Sequence, residues 1–316
     1  MLKCSLVITF LILLVNIYAQ AVQWESAGTD IHEIQIRARA AKIIVQRSST
    51  NSIKVSVTGS NESLWREDVQ SNILKVSGPE DSGHIEDSNL VLEIPAGVIQ
   101  SKLVFEEVRA EINSVSHLIL NSLRGKIIAH STGEGIKYFM QKGEIQSFQH
   151  QGNLEIESFG GKISVFEGQS NLKIRLFSGE LIIDKNSGAL SLESQSSTAK
   201  INSQQGVVSL QWGRGNLVMT DFMGRLEGKS NDGQLQFKVK PESMIDLEAL
   251  RGKVMVSLPV GSGASLNLRS ANGELNVPAP LKPAREGRFR VARGTLSGAL
   301  KGSIHIRSED ASIGIR

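Results

Sequence analysis

The 316-residue chain has little cysteine, no basic block and few long apolar runs, and each of these absences argues against one class of protein. Its single cysteine, Cys4, excludes a disulfide scaffold and makes a thiolate metal site improbable. Lys and Arg number 35 against 32 Asp and Glu, without a basic block, which argues against a nucleic-acid-binding protein. Beyond the N-terminus no apolar run approaches the ~18 residues of a membrane-spanning helix. Hydrophobic residues make up 40% of the chain, enough for a sizeable core, which argues against a disordered protein.

The N-terminus has the pattern of an export signal. Lys3 precedes the apolar run Leu6 to Val15, and Ala19-Gln20-Ala21 matches the small-x-small pattern of a signal-peptidase site. Cleavage after Ala21 is therefore predicted, and residues 1–21 are assigned as a signal peptide. The alternative is an uncleaved anchor. The mature protein is expected outside the cytoplasm, in the periplasm, on the outer surface or in the medium, without a transmembrane span.

Small residues recur every 18 positions through the middle of the chain, which indicates a repeat architecture. Only Ser197 interrupts a glycine series, and a second series of small residues has the same spacing. The two series are Gly125, Gly143, Gly161, Gly179, Gly215 and Gly233, and Gly152, Ser170, Gly188, Gly206 and Gly224.

Apolar residues alternate within each repeat, as they do in β-strands. Four columns continue through seven repeats and are apolar except at Ser147 and Gly228. They begin at Leu118, Leu120, Ile127 and Ala129 and advance by 18 residues to Leu226, Gly228, Leu235 and Phe237. Two short strands per repeat cannot bury their apolar faces alone, so the repeats are predicted to stack in parallel, about 4.8 Å apart.

The charged positions provide an independent test of this stacking, because like charges in one column would repel. The signs alternate instead. The columns are Lys126, Glu144, Lys162 and Glu180; Lys137, Glu155 and Lys173; Glu157, Arg175 and Glu193; and Glu167 and Lys185. We therefore predict an all-β fold, a single-stranded parallel β-solenoid with ~18-residue coils, two short strands per coil and irregular caps at both ends. An antiparallel sandwich is the alternative.

The ends of the chain are less regular than the middle. Residues 22–100 are predicted to form a β-rich N-terminal cap, 101–261 the regular repeats, and 262–316 the last coils and a C-terminal cap. Strands are expected at Ile34 to Ile36, Ile43 to Val45, Ile53 to Val55, Leu90 to Leu92, Ser303 to Ile306 and Ala311 to Ile315. Loops are expected from Gly78 to Asn89 and in the proline-rich stretch Pro278 to Gly287.

Several short segments resemble a bacterial family of putative adhesins of unknown function, including those with GIN-type head domains. These segments are Ile94 to Gly97, Leu258 to Gly261, Leu266 to Val277 and Gly302 to Ile315. The resemblance covers most of the mature chain, and it implies an exported β-solenoid without an established reaction. Asn272-Gly273 keeps the family's usual turn, whereas Glu309 to Ser312 lacks it.

A search for catalytic chemistry assigns no catalytic, cofactor-binding or metal-binding residue. The histidines form no metal-binding spacing and are expected on the solvated surface: His32, His84, His117, His130, His150 and His305. Stacking would make neighbours of Glu155, Glu157, Lys173 and Arg175, a set that polysaccharide lyases use on this fold, although register already explains their signs. Six aromatic residues near the turns favour corner packing, with a sugar-stacking strip as the alternative: Phe139, Phe148, Phe159, Phe166, Phe177 and Trp212.

The sequence therefore predicts an exported, non-enzymatic scaffold or binding surface of the cell envelope. Its expected partners are an envelope polysaccharide or another surface protein, and no cofactor or nucleic acid is expected. Two alternatives remain at this stage. One is a carbohydrate-active enzyme, a lyase or hydrolase, on the same fold, and the other is self-association through the solenoid ends.

The inward and outward assignments predict different effects for two neighbouring substitutions. Ile163→Asp would bury an unpaired charge and is expected to abolish cooperative folding. Lys162→Glu would place a third carboxylate between Glu144 and Glu180, with a smaller loss of stability that added salt reduces. Urea unfolding at low and high salt measures both effects. If both variants kept the unfolding free energy of the parent protein, the assignment of Ile163 to the interior and Lys162 to the surface would be contradicted.

Overall fold

The computed structural model describes residues 22–27, 31–60, 62–80, 85, 88–298 and 301–316, and the predicted signal peptide lies outside them. These residues form β-strands, one short 3₁₀ helix, Glu62–Leu64, and no α-helix, so the predicted all-β class is confirmed. All the strands belong to one continuous, open and mostly parallel sheet. The N-terminal strands are β1 (Val22–Ala27), β2 (Glu33–Arg47), β3 (Ser52–Thr58), β4 (Arg66–Gln70), β5 (Ile73–Ser77) and β6 (Asn89–Ile94).

The remaining strands divide into a regular middle series and a C-terminal group. The middle series is β7 (Gln100–Asn113), β8 (Leu118–His130), β9 (Ile136–Phe148), β10 (Gln151–Phe166), β11 (Gln169–Asp184), β12 (Leu190–Asn202), β13 (Gln205–Val239) and β14 (Met244–Ser257). The C-terminal group is β15 (Gly263–Ser270), β16 (Leu275–Asn276), β17 (Ala284–Glu286), β18 (Phe289–Leu296), β19 (Lys301–Ser308) and β20 (Ser312–Ile315).

The middle strands stack in parallel with a register of 18 residues. Leu154 pairs with Ile136 below it and with Leu172 above it, and the same offset holds from β8 to β13. The offset changes at both ends of the series, to 17 where Ser101 pairs with Leu118 and to 19 where Arg225 pairs with Met244. Every pairing between consecutive strands from β7 to β14 is parallel. The antiparallel sandwich is therefore wrong for this region.

At five positions of the glycine series, Gly125, Gly143, Gly161, Gly179 and Gly215, a Cβ would lie 1.9–2.1 Å from a carbonyl oxygen of the preceding repeat. Gly161 has φ +117°, and a Cβ there would lie 2.0 Å from the carbonyl oxygen of Gly143. Contact at 2.1 Å recurs between Gly179 and Gly161. Ser197 occupies the same column and is buried. The 18-residue glycine period follows from this steric limit.

The structure joins the two predicted strands of a repeat into one strand that bends at this glycine. In β10 the buried apolar positions are Leu154 and Ile156 before the bend and Ile163 and Val165 after it. These apolar positions change from even to odd numbers across the bend at residues 159–161. A change of parity keeps both halves facing the same interior, because alternate side chains of a strand point to opposite faces.

A second bend recurs where each repeat ends. Six non-glycine residues adopt the left-handed conformation there, with φ between 51° and 57°. This conformation is uncommon for residues with a Cβ, and its recurrence indicates a corner imposed by the stack. The residues are Ser131, Gln149, Glu167, Lys185, Ser203 and Asp221.

The four apolar columns form the core. Every position is buried except Gly228, which is half-buried, and the columns are continuous from repeat to repeat. The core extends into the N-terminal region through residues of β2, β3, β5 and β6. Like side chains thus lie above one another in a single cluster rather than in separate domain cores.

Two arms continue the stack at its N-terminal end. The first half of β2 pairs with β5, whose other edge is covered by antiparallel β4. The second half pairs with β6, which is followed by antiparallel β3 and β1. The predicted separate strands at Ile34 to Ile36 and Ile43 to Val45 are one strand, β2, whereas Ile53 to Val55 and Leu90 to Leu92 lie in β3 and β6 as predicted.

The C-terminal end departs from chain order. The last strands, β19 and β20, insert in parallel beside β14, and β15 pairs on the far side of β19. Antiparallel β18 and β17 then close this end. The prediction that Pro278 to Gly287 is wholly a loop is wrong, because Ala284–Glu286 forms β17, and β18 was not predicted.

Gly161→Ala should be strongly destabilising, because the new Cβ would meet the carbonyl oxygen of Gly143 and because φ +117° is strained for alanine. A loss of about 2–4 kcal/mol in the free energy of unfolding is expected by urea titration. Gly160→Ala is the matched control. The nearest atom to its Cβ would be Ser178 Oγ at 3.5 Å, so a change within about 1 kcal/mol is expected. Equal losses would contradict the steric origin of the glycine period.

Candidate functional surface

The predicted charge ladders lie on the outer faces of the stack. Glu155 accepts a 2.6 Å hydrogen bond from Lys173 Nζ and lies 3.3 Å from Lys137 Nζ. The hydrogen bond from Lys173 lowers the pKa of the Glu155 carboxyl, and the bond from Lys126 does the same for Glu144. Each of these carboxylates is therefore held ionised by a cation one repeat away.

The residue set considered for catalysis is brought together but is internally paired. Glu155 pairs in register with Lys173 and Glu157 with Arg175. Arg175 lies 3.5 Å from Glu157 and 3.3 Å from Glu193. Exposed pairs of this kind contribute about 0–1 kcal/mol, so their value lies mainly in fixing the register. This group presents carboxylates that already have partners.

Two aromatic ladders follow the same register. His130, Phe148 and Phe166 stack with ring centroids 5.0 and 5.1 Å apart, and Phe159 stacks on Phe177 at 4.5 Å with an interplanar angle of 4°. Stacked rings cover each other's faces and turn their edges outward. Since a sugar ring packs on an open aromatic face, these ladders favour structural stacking over a continuous sugar-binding strip.

The other aromatic candidates also have packing roles. Trp212 is 2% exposed, and its indole N–H donates a long hydrogen bond to the carbonyl oxygen of Gly215. Phe139 contacts Phe159 edge-to-face at 5.9 Å. Phe159 is the most exposed ring of the six at 44%.

A cleft opens at the corner where the Phe159–Phe177 column continues. The next positions in this column are Gln195, Gly213, Asn231 and Leu250, and a Cβ at Gly213 would lie 2.2 Å from the carbonyl oxygen of Gln195. The missing side chain leaves a recess. This corner cleft has a volume of about 820 Å³ and is lined by amide and charged groups that include Gln195, Gln211, Arg214, Asn231, Asp232 and Arg251.

Three charged side chains of the corner cleft form no ion pair with a described residue, in contrast to the charged side chains of the ladders. Asp232 pairs in backbone register with Arg251, and Arg214 lies 18 positions before Asp232. None of these three side chains forms an ion pair with another described residue. They are exposed and therefore available to a ligand.

A second cleft, of about 520 Å³, adjoins the C-terminal strands. Asp232 and Glu274 both line it, together with Lys253, Asn216, Gln234 and Asn276. Both carboxylates are exposed, and neither is ion-paired with another described residue. The backbone of Glu274 is fixed by a hydrogen bond from the Ile313 N–H to its carbonyl oxygen. This C-terminal cleft depends on the insertion of β20 beside β14, which could not be read from the repeat.

A buried polar ladder follows the left-handed corner, and the sequence reasoning missed it. Its register positions are Thr132, His150, Gly168, Asn186, Gln204 and Phe222. Asn186 Nδ2 donates to Gln204 Oε1 at 3.0 Å, and Gln204 Nε2 donates to the carbonyl oxygen of Gly188 at 2.8 Å. The 18-residue recurrence of polar residues after the corner was the available signal. The ladder stabilises the interior of this corner by pairing its polar groups.

His150 corrects the expectation that the histidines are on the surface. It is fully buried, and its Nδ1 shares a 2.6 Å hydrogen bond with Thr132 Oγ1, whereas its Nε2 has no partner among the described residues. Burial lowers the pKa of His150 to about 4. The neutral imidazole is therefore the folded form at neutral pH. His32, His117 and His130 are exposed, as predicted, His305 is half-buried with its Nδ1 3.5 Å from Asp246 Oδ1, and His84 lies outside the described residues.

The described residues contain neither a membrane-spanning helix nor a cluster of metal-binding side chains. No helix in this part of the chain is long and apolar enough to cross a bilayer. No group of three or more His, Cys, Asp or Glu side chains there could hold a metal ion.

Comparison with known families identifies the relationship of the chain. The family model of Toastrack DUF4097 matches residues 31–314. The chain belongs to the Toastrack DUF4097 family. The match covers both the regular repeats and the irregular ends, in agreement with the extent of the resemblance seen in the sequence. The relation to GIN-type head domains stays a prediction.

Solved structures similar to this Toastrack chain share little sequence with it. A putative adhesin from Parabacteroides merdae is 10% identical, with coverage of 95% and 97% of the two chains and a TM-score of 0.31. A putative cell adhesion protein from Clostridium sporogenes is 10% identical, with coverage of 94% and 98% and a TM-score of 0.21. A putative lipid binding protein from Parabacteroides distasonis is 12% identical, with coverage of 94% and 96% and a TM-score of 0.32. No curated protein matches the chain.

Burial of His150 predicts a loss of stability in mild acid. The unfolded chain binds a proton near pH 6.5 and the folded chain only near pH 4, so stability is complete above pH 6.5 and falls as the pH drops from 6.5 toward 4. His150→Gln should remove about 2 kcal/mol of the difference in unfolding free energy between pH 7 and pH 4.5. Glutamine suits this column because Gln204 already occupies it.

The control for this measurement is His32→Gln, since His32 is exposed. Urea unfolding of this variant should keep the pH dependence of the parent protein. An unchanged pH dependence in His150→Gln would show that His150 is not the group responsible.

Proposed function

We propose that this Toastrack chain is an exported, non-enzymatic β-solenoid that acts as a scaffold or binding surface of the cell envelope. Its middle is a single-stranded parallel solenoid of 18-residue coils, and residues 22–100 and 262–316 close the two ends. Cleavage after Ala21 would release a chain whose first strand begins at Val22. The protein then functions in the periplasm, on the outer surface or outside the cell.

One observation carries the non-enzymatic assignment. The carboxylates of the lateral ladders lie against Lys or Arg one repeat away, at distances from 2.6 to 3.5 Å. A glycosidase or lyase needs carboxyl groups that are free to protonate a leaving group or to attack. The ladders instead use their carboxylates to hold successive coils in register.

The corner cleft supports binding along the lateral surface. Its amide groups at Gln195, Gln211 and Asn231 are exposed and offer both donors and acceptors to the hydroxyl groups of a glycan. Repeat proteins of this kind bind extended ligands along such faces. An envelope polysaccharide is therefore the proposed partner, with another surface protein as the second candidate.

Self-association through the solenoid ends is a further alternative, and the charges of the edge strands bear on it. Edge strand β4 has the charged sequence Arg66-Glu67-Asp68, which opposes pairing with another copy in the same orientation. Light scattering of the mature protein distinguishes monomers from end-to-end assemblies. Larger particles that disappear on charge substitution of the terminal strands would support assembly.

The C-terminal cleft favours the alternative of a carbohydrate-active enzyme. Asp232 and Glu274 have no ion-pair partner among the described residues, and Lys253 supplies a basic neighbour. Two carboxylates about 5–10 Å apart are the machinery of glycoside hydrolysis. Asp232→Asn and Glu274→Gln would each abolish cleavage if this alternative holds.

The experiment is a screen of residues 22–316 against envelope polysaccharides that records binding and cleavage separately. Binding without new reducing ends or unsaturated products is the expected result. The double variant Gln211→Ala, Asn231→Ala should weaken binding by about tenfold, which corresponds to one or two lost hydrogen bonds.

Gln236→Ala is the matched control, because Gln236 is an exposed amide outside the corner cleft. It should bind like the parent protein. Cleavage that depends on Asp232 and Glu274 would replace the proposal by the enzyme alternative. Equal binding by the parent and the double variant would exclude the corner cleft as the binding site.

A further inference from the structure

The β17–β18 hairpin concentrates positive charge at the C-terminal end of the stack. Residues 262–298 contain six cationic and two acidic side chains, although positive and negative charges are nearly equal in number over the whole chain. Five of the six are exposed on the hairpin and the loop that precedes it: Lys282, Arg285, Arg288, Arg290 and Arg293.

The hairpin places two like charges at directly opposed positions, unlike the lateral charge ladders. Arg285 of β17 lies directly opposite Arg290 of β18. Like charges at directly opposed positions are destabilising. In the lateral ladders, by contrast, each neighbouring pair has opposite signs.

Protein groups compensate only part of this charge. Arg293 lies 3.3 Å from Glu286, and Arg285 Nε donates to the carbonyl oxygen of Gly287. Lys282 and Arg290 have no ion pair with any described residue. The hairpin therefore keeps several cations available to a ligand.

Protection of an exposed strand edge does not by itself account for this arrangement. The corresponding edge strand at the other end, β4, mixes signs, and its Asp68 lies opposite Lys75. Charges of either sign discourage edge pairing. Opposed arginines add a repulsion that edge protection does not need, and a bound anion would relieve it.

The aromatic residue of the hairpin narrows the class of ligand. Arg269 lies over the ring of Phe289 at 3.6 Å and Arg288 at 4.9 Å. The covered ring offers no platform for a nucleobase. The turn residues Gly287 and Arg288 provide no apolar side chain to insert into a bilayer, as stable membrane attachment requires.

We propose that the β17–β18 hairpin is a binding site for an anionic polysaccharide, with guanidinium groups that grip its sulfate, phosphate or carboxylate groups. The planar fork of arginine matches such oxyanions with two parallel hydrogen bonds. None of these hairpin residues lines the corner cleft. The proposed anion site can therefore be tested independently of ligand binding in the corner cleft.

The test compares two triple variants of residues 22–316 with equal loss of charge. Arg285→Gln, Arg288→Gln, Arg290→Gln removes cations of the hairpin. The matched control Lys102→Gln, Lys200→Gln, Lys238→Gln removes exposed lysines from the lateral faces that have no ion pair with a described residue. The probes are heparin, a sulfated polysaccharide, and polygalacturonate, a carboxylated one, measured by calorimetry at low and high salt.

The parent protein should bind at least one probe, with an affinity that falls as salt rises. The hairpin variant should bind about tenfold or more weakly, and the control within about twofold of the parent. The hairpin variant should also melt at the same or a higher temperature, because the repulsion between Arg285 and Arg290 is removed. A normal melting temperature together with lost binding separates loss of the site from loss of the fold.

Three results would overturn the proposal. The first is an equal loss of affinity in both triple variants, which would indicate non-specific attraction. The second is failure of the parent to bind either polysaccharide at low salt. The third is hairpin-dependent binding to phosphatidylglycerol vesicles or to a DNA oligonucleotide that is tighter than binding to either polysaccharide, which would assign a different ligand.

Discussion

Parallel stacking of the backbone at a fixed 18-residue offset is the constraint on which the rest of the structure depends. The offset brings the carbonyl oxygen of Gly143 to 2.0 Å from where a Cβ of Gly161 would lie, so that only glycine fits without displacement. It also places each side chain above its counterpart, which accounts for the apolar columns and the alternating charges together. The glycines, the core and the surface are thus three consequences of one register.

The same register limits what the lateral surface can do chemically. A carboxylate on a face of the stack has a position above and a position below it, and in the ladders at least one of these holds Lys or Arg. The proposed binding sites accordingly lie where a ladder stops or changes. The aromatic corner column ends at Phe177 and Gly213 leaves a recess beyond it, the inserted β20 lines the C-terminal cleft, and Arg285 of β17 lies opposite Arg290 of β18.

The fold was more predictable than the candidate sites. The strand pattern, the parallel stacking and the ion pairs follow from local periodicity, because each repeat contacts mainly its two neighbours. The interior position of His150 was missed because a lone histidine has no periodic signature, although Thr132, Asn186 and Gln204 at 18-residue spacing provided a polar one. The strand β17 was missed because prolines around it favoured a loop.

By itself the sequence determined the all-β class, the 18-residue register, the inward columns and the sign of each charged column, since all of these repeat along the chain. Only the tertiary structure decided that β19 inserts between β14 and β15 and β20 between β14 and β16, that Asp232 and Glu274 line one cleft, and that Arg285 lies opposite Arg290. These contacts join segments far apart in the chain and outside the period. They depend on how the ends of the stack are closed, for which the repeat carries no signal.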